Sequence, residues 1–395
     1  MNYQFSKRMS TIKASAIREI LKATSDPTII SFAGGNPSAE AFPLDAIRKI
    51  SNQLLEKEPI NLLQYGISEG DNELISEAEL FLNRSESIIK ENDKLLITSG
   101  SQQIMEFTVK CFCNDGDIVL TENPSFIGAI NAFKSQGAKV RGIGFKNGQL
   151  DVSELERVLS KKIKPKFLYV IPNFQNPMGT VMSLKVRKEI LALAKKYGVI
   201  ILEDNPYGDL RFEGNIIPSI KSLDKDGIVI YAASLSKIIA PGMRIACCVA
   251  DKAIIERFVV AKQVSDIHSN LWSQKVIAKF LQEYDMDNHL FQLSQIYQRK
   301  CQLMYNQMKK HFHPDIIFNK PSGGMFIWVT FPKSVDIEDF IKKALDLKVA
   351  VVPGKVFLVD DKEECHSIRL NFSTPTDEQI IKGISILGKL TYNLV

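Results

Sequence analysis

Short apolar runs alternate with helix-periodic stretches over the first three quarters of this chain. The runs at 94–98, 117–121, 139–144, 167–171, 199–203, 228–232 and 244–250 have the length and composition of strands. Segments 102–113 and 184–197 carry apolar residues at helical spacing between them. Strand–helix alternation predicts an α/β fold with a mainly parallel, seven-stranded sheet and helices on both faces. Ligands of such sheets bind beyond the carboxyl ends of the strands. Most polar clusters of this chain follow one of those ends.

The pattern changes in the last quarter. Leu290, Leu293, Ile296, Tyr297, Leu303 and Met304 fall near one face of a long helix at 288–312. Beyond it come strand-like 325–330, a helix at 337–347, strand-like 349–352 and 368–372, and a final helix. This predicts a second, smaller α+β lobe. The division expected is 1–46 as an N-terminal segment, 47–290 as the large domain and 291–395 as the small one. No internal repeat or low-complexity linker interrupts it.

A chain of 395 residues suits two lobes better than one small core. Apolar residues make up 45% and charged residues 24%, as in a globular enzyme. The net charge of +5 is thin and scattered, which argues for no nucleic-acid partner. The densest basic run, 161–166, reads as a solvated loop entering a strand. No stretch approaches about 18 uninterrupted apolar residues, so no membrane span is expected. Residues 1–13 lack the apolar core of a signal peptide. The six cysteines form no Cys-x-x-Cys pair and read as reduced thiols of a cytoplasmic protein. Five histidines show no metal-type spacing beyond His311-Phe312-His313, and no metal site is expected.

The chemistry concentrates in Ser234-Leu235-Ser236-Lys237, followed by Pro241-Gly242-Met243-Arg244. A Schiff-base amine needs a tight, enclosed site, and nearby hydroxyls and a cation suit a phosphate. Read this way, Lys237 holds the aldehyde of pyridoxal phosphate, while Ser234, Ser236 and Arg244 hold its phosphate. The alternative is a surface lysine beside a turn.

Other clusters add to that reading. A strand ends on Glu203-Asp204, and Tyr207 follows. Asp204 suits a carboxylate facing the pyridine nitrogen, and Tyr207 the ring hydroxyl; the alternative is a capping aspartate. Asn176-Pro177-Met178-Gly179 is a turn signal whose amide could reach the same ring oxygen. Gly100-Ser101-Gln102 joins a strand to a helix and would cradle a phosphate on free backbone N–H groups. Phe126 could stack on the ring, although an isolated Phe is more often core. Arg369 sits between apolar residues and needs a partner, either a substrate carboxylate or an internal carboxylate.

Taken together, Gly-Ser-Gln, Asn-Pro-x-Gly, Asp-x-x-Tyr, Ser-x-Ser-Lys and the late Arg resemble, in order, the class I aminotransferases among the fold type I pyridoxal-phosphate enzymes. The resemblance spans about Ala14 to Leu390. It implies Lys237 as Schiff-base lysine and proton shuttle, Asp204 at the pyridinium nitrogen, and Asn176 and Tyr207 at the 3-oxygen. It also implies Phe126 stacked on the ring and Arg369 on the substrate α-carboxylate. A homodimer with shared active sites follows, in which Tyr65 reaches the partner's cofactor phosphate.

Ile12 to Leu21, with Phe32-Ala33-Gly34-Gly35-Asn36-Pro37, looks like the 2-aminoadipate and kynurenine aminotransferase branch. There the N-terminal segment folds over the substrate, which places Gly35 at the substrate. Arg18 matches a position that can pair with an acidic side chain; the alternative is an exposed helix arginine. The expected activity is ping-pong transfer of an amino group between an L-amino acid and a 2-oxo acid, with 2-oxoglutarate as the expected acceptor. The competing readings are a lyase or decarboxylase on the same scaffold, or the sensor module of a transcription regulator. Asn36 departs from the branch, where Leu or Glu is usual, and lies near the expected substrate entrance.

Overall fold

A computed structural model describes residues 3–10, 26–162 and 164–394. Strands β1 (Asp93–Thr98), β2 (Ile118–Glu122), β3 (Lys139–Ile143), β4 (Phe167–Val170), β5 (Ile200–Asn205), β6 (Val229–Ser234) and β7 (Ala246–Asp251) form one sheet. Its order is β1-β7-β6-β5-β4-β2-β3. Only β7 runs antiparallel to its neighbours; the other pairs are parallel. Every residue of β4 is buried, which is why an uninterrupted apolar run encodes it.

Helices α1 (Ser101–Phe112), α2 (Ile127–Ser135), α3 (Leu184–Tyr197), α4 (Lys252–Gln263) and α5 (Leu271–Glu283) belong to the same lobe. Helix α3 shows how local chemistry sets the ends. The Ser183 side chain accepts from the Val186 N–H at its start, and Gly198 takes φ 66° at its close.

The remaining chain contains α6 (Met286–His311), β8 (Ile317–Phe318), β9 (Phe326–Thr330), α7 (Ile337–Asp346), β10 (Val352–Pro353), β11 (Ser367–Asn371) and α8 (Asp377–Leu394). Its sheet is antiparallel in the order β8-β9-β11-β10. The expected boundary at 290 falls inside the 26-residue α6. Ile30 and Ser31 pair in parallel with Val349 and Ala350, which ties the N-terminal segment to this lobe. No helix among the described residues is long and apolar enough to cross a membrane.

Several strand ends differ from the expected ones. The strand expected at 199–203 continues to Asn205 and carries Asp204 within it. The one expected at 244–250 starts at Ala246, because Pro241–Met243 form a short 3-10 turn and Arg244 is left-handed at φ 56°. The run at 349–352 divides between two partners, the N-terminal pair and β11.

Register matters most at one edge. Ala246 pairs with both Thr98 and Ser234. The residues leaving β1 and β6 therefore meet Arg244 as it enters β7, although about 150 positions separate β1 from β7 in sequence.

Candidate active site

At this edge Gly100 has φ 81°, and a Cβ there would strike the Arg244 guanidinium. Only glycine accommodates both conditions without strain. Gly100 caps α1, whose first residues are Ser101 and Gln102. Arg244 donates from Nη2 to the Ser99 carbonyl at 3.3 Å and from Nη1 to the Pro241 carbonyl at 3.3 Å. Its left-handed backbone costs a non-glycine residue about 1–3 kcal/mol. Ser234, the last residue of β6, and Ser236, in the turn beyond it, are buried, and the Ser236 N–H donates to Ser234 Oγ at 3.3 Å. The result is a patch of N–H, hydroxyl and guanidinium donors around one concavity, as an anion requires.

Asp204 lies at the carboxyl end of β5 and is 2% exposed. Tyr169 on β4 donates its hydroxyl to Asp204 Oδ2 at 2.7 Å. Asp204 Oδ1 is buried and has no hydrogen-bond partner among the described residues. Burial pushes this carboxyl up to about 7, against the Tyr169 hydrogen bond. Tyr207 packs edge-on to Phe326, with ring centroids 5.8 Å apart. Burial raises its hydroxyl above the usual phenol range, and the Asn176 side chain hydrogen-bonds it.

Arg369 on β11 is 3% exposed and reaches across to the large lobe. Its Nη1 donates to Asn176 Oδ1 at 2.8 Å and its Nη2 to the Ala33 carbonyl at 2.9 Å. Its Nε has no partner among the described residues. The guanidinium lies over the rings of Phe326 at 4.1 Å and Phe357 at 4.8 Å. No carboxylate pairs with it, so the internal salt bridge that the sequence allowed does not form among the described residues. Burial lowers its pKa to about 10.

Lys237 donates from Nζ to the Gly35 carbonyl at 2.8 Å. Burial lowers its pKa to about 8, with the charges of Arg244 and Arg369 adding to the effect. An amine so placed is partly neutral near pH 8 and can act as nucleophile or base.

These side chains converge. A cavity of about 260 Å³ is lined by Gly35, Ser101, Gln102, Phe126, Asn176, Asp204, Tyr207, Ser234, Ser236, Lys237, Arg244 and Arg369. Gly100 sits just behind, against Arg244. Tyr65 is elsewhere, 76% exposed beside the His268 ring. Arg18 lies outside the described residues. A larger cavity of about 500 Å³ shares Ser234 but contains none of Lys237, Asp204 or Arg369.

Sequence reasoning missed Tyr169 and the two rings around Arg369. Tyr169 carried one usable signal: a buried tyrosine in an apolar strand still needs an acceptor for its hydroxyl.

The family described as aminotransferase class I and II matches residues 27–387. The chain belongs to the class I and II aminotransferases. It is 36% identical to aromatic-amino-acid aminotransferase 1 of Thermococcus litoralis, over 98% of this chain and 93% of that protein. It resembles the crystal structure of the Pyrococcus horikoshii kynurenine aminotransferase, in complex with PMP, with a TM-score of 0.94 at 35% identity, covering 98% and 97% of the two chains. The α-aminoadipate aminotransferase LysN of Thermus thermophilus, solved with N-(5'-phosphopyridoxyl)-L-leucine, gives 0.90 at 33% identity, with the same coverage. The expected aminotransferase activity therefore stands, and the cofactor is pyridoxal 5′-phosphate.

The cavity around Lys237 has the groups to fit that cofactor. A buried carboxylate oxygen lacks a partner where a protonated ring nitrogen would supply one. An amine with a lowered pKa, a donor-lined anion patch and an aromatic ring share the same cavity.

Proposed function

We propose that Lys237 is the covalent cofactor lysine and the proton acceptor of this aminotransferase. Asp204 pairs with the ring nitrogen, Asn176 and Tyr207 hold the ring oxygen, and Phe126 stacks on the ring. Gly100, Ser101, Gln102, Ser234, Ser236 and Arg244 hold the phosphate, and Arg369 takes the substrate α-carboxylate. When bound, pyridoxal phosphate supplies an aldehyde that links to an amine and a ring that accepts an electron pair from the substrate α-carbon.

The residues then divide the work. Arg369 Nε would offer a donor to a carboxylate, and the Nη1 contact with Asn176 holds the guanidinium in place for it. The Lys237 amine takes the proton from the α-carbon, and its pKa of about 8 leaves a useful neutral fraction. Asp204, whose Oδ1 has no partner among the described residues, would keep a bound ring nitrogen positive. Ala33 and Gly35 close the N-terminal segment over Arg369 and Lys237 and help exclude water. The single observation that carries the reading is the convergence on one cavity of Lys237, of Asp204 with its unpaired Oδ1 and of Arg369 with its unpaired Nε.

The amino donor is an L-amino acid, and 2-oxoglutarate with glutamate forms the second pair. The active unit is a homodimer with shared sites, to which Tyr65 contributes from the partner copy. Segments 60–67 and 264–268 meet through the Gly66 N–H to His268 hydrogen bond. Between them they leave Ile60, Leu63, Tyr65, Ile67, Val264 and Ile267 exposed, an apolar face that a second copy would cover. The cofactor domain runs from 47 to the start of α6, and α6 onward with 26–46 forms the lobe that closes on substrate.

The test is a spectrum of the protein loaded with pyridoxal phosphate, recorded before and after single amino acids are added without a 2-oxo acid. Conversion of the visible band to the pyridoxamine phosphate band supports transamination, and ranking the amino acids names the donor. A visible band that never converts would overturn the assignment of roles.

A further inference from the structure

Behind the phosphate end of the cavity lies a polar cluster that none of these assignments uses. Lys262, the penultimate residue of α4, is fully buried. Its Nζ donates to Gln103 Oε1 at 3.0 Å, to Asp266 Oδ1 and Oδ2 at 2.8 and 3.0 Å, and to Ser269 Oγ at 3.0 Å. Asp266 Oδ2 in turn accepts from Ser99 Oγ at 2.6 Å, and the Ser99 and Ser269 hydroxyls are 3.0 Å apart. Ser99 is thereby held at every polar atom. Its N–H donates to Gln103 Oε1 at 2.9 Å, and its carbonyl accepts from Arg244 at 3.3 Å.

A buried ammonium is costly to desolvate, and a well-packed apolar residue would serve stability as well or better. This one instead directs its donors to groups that hold the residue preceding Gly100, Ser101 and Gln102. Lys262 and Asp266 cancel in charge, so the cluster acts through geometry. Fixing Ser99 fixes the start of α1 and the Arg244 fork in the arrangement an anion needs, before the anion arrives.

We propose that Ser99, Asp266 and Lys262 are positioning residues that pre-organise the turn at Gly100–Gln102 and Arg244 for the cofactor's phosphate, and so set affinity for the phosphate group separately from the ring. The inference rests on the reading of that turn as the phosphate cradle.

The experiment measures Kd for pyridoxal 5′-phosphate and for pyridoxal, which lacks the phosphate, in the full-length protein and its Ser99→Ala, Ser99→Thr and Asp266→Asn variants. Wild type should prefer the phosphorylated ligand strongly. Ser99→Ala and Asp266→Asn should weaken pyridoxal phosphate roughly tenfold, as for loss of a hydrogen bond to a charged group. Binding of pyridoxal should stay unchanged, Ser99→Thr should keep most of the wild-type affinity, and a variant combining Ser99→Ala with Asp266→Asn should lose less than the two losses combined. Equal weakening of both ligands would overturn the proposal, because a merely structural role predicts that. Unchanged pyridoxal phosphate affinity would overturn it as well. Wild type that binds both ligands equally would overturn the cradle reading itself, a result distinct from failure of the positioning role. Ser99→Ala removes one hydroxyl only, so it carries the test if Asp266→Asn does not fold.

Discussion

The Tyr169 hydroxyl binds one oxygen of Asp204, a residue that lines the cavity, at 2.7 Å and leaves the other oxygen without a partner among the described residues. The two oxygens of one carboxylate are thus made inequivalent by a strand neighbour. A hydrogen bond to the charged form lowers a carboxyl pKa, so its loss raises it. Tyr169→Phe keeps the buried ring and removes only the hydroxyl. We expect the acid limb of the pH–rate profile to move to higher pH and kcat/KM to fall roughly 10- to 100-fold. A profile that superimposes on wild type would reject the role of Tyr169.

Asp204 itself should cost stability when the cofactor is absent. Its pKa in the fold is about 7, above the ordinary carboxyl value of about 4. The fold therefore favours the neutral form. The cost is absent at low pH, grows as pH rises through the unfolded value, and is complete above the folded one. Cofactor-free Asp204→Asn should unfold roughly 2–5 °C above cofactor-free wild type at pH 8, with a smaller gain at pH 5. The same variant should lose at least about 100-fold in kcat, because an amide cannot hold the ring nitrogen positive. Thermal unfolding at the two pH values checks the sign.

Lys237 titrates on the other side of neutrality. Burial, Arg244 and Arg369 all disfavour its charged form. Its neutral amine is the species that condenses with an aldehyde. Loading of the cofactor-free protein should speed up as pH rises through about 8 and then level off. An ordinary lysine would keep accelerating to about pH 10. The initial rate of visible absorbance growth, followed from below pH 7 to above pH 9, distinguishes the two curves.

Most of what the sequence made legible lies at strand ends. The motifs around Gly100, Asn176 and Lys237 follow strands and Asp204 sits near the end of one, and strands that run in the same direction deliver their carboxyl ends to one edge. What stayed hidden depends on pairing between distant segments. Tyr169 looks like core until the register of β4 and β5 brings its hydroxyl to Asp204. Phe326 and Phe357 look like core until β11 carries Arg369 between them. The Ala33 and Gly35 carbonyls contact Arg369 and Lys237 through backbone atoms, which no residue type announces. The left-handed Arg244 reads as strand in the sequence because its side-chain contacts, not its local propensity, dictate the backbone there.

Arg369 between those rings should tolerate no simple replacement. A lysine keeps the charge but loses the planar fork and the stacking. Arg369→Lys should raise KM for both the amino acid and the 2-oxo acid roughly 100-fold. Its Kd for pyridoxal phosphate should stay near wild type, since Arg369 is assigned to substrate. A parallel loss of cofactor affinity would move Arg369 into the cofactor site.

Tyr65 offers the sharpest test of the shared site. It is 76% exposed and does not line the cavity of its own chain. If it completes the partner's site, Tyr65→Ala and Lys237→Ala homodimers should each be impaired, Lys237→Ala completely. Mixed by unfolding and refolding, half of the dimers should be hybrids. Each hybrid holds one site with Lys237 from one copy and Tyr65 from the other. The hybrids should then add about a quarter of wild-type activity to what the remaining Tyr65→Ala homodimers supply, which lifts the mixture above the average of the two parents. A mixture whose activity equals the average of its parents would place Tyr65 outside the partner's site and leave the exposed face at 60–67 to another role.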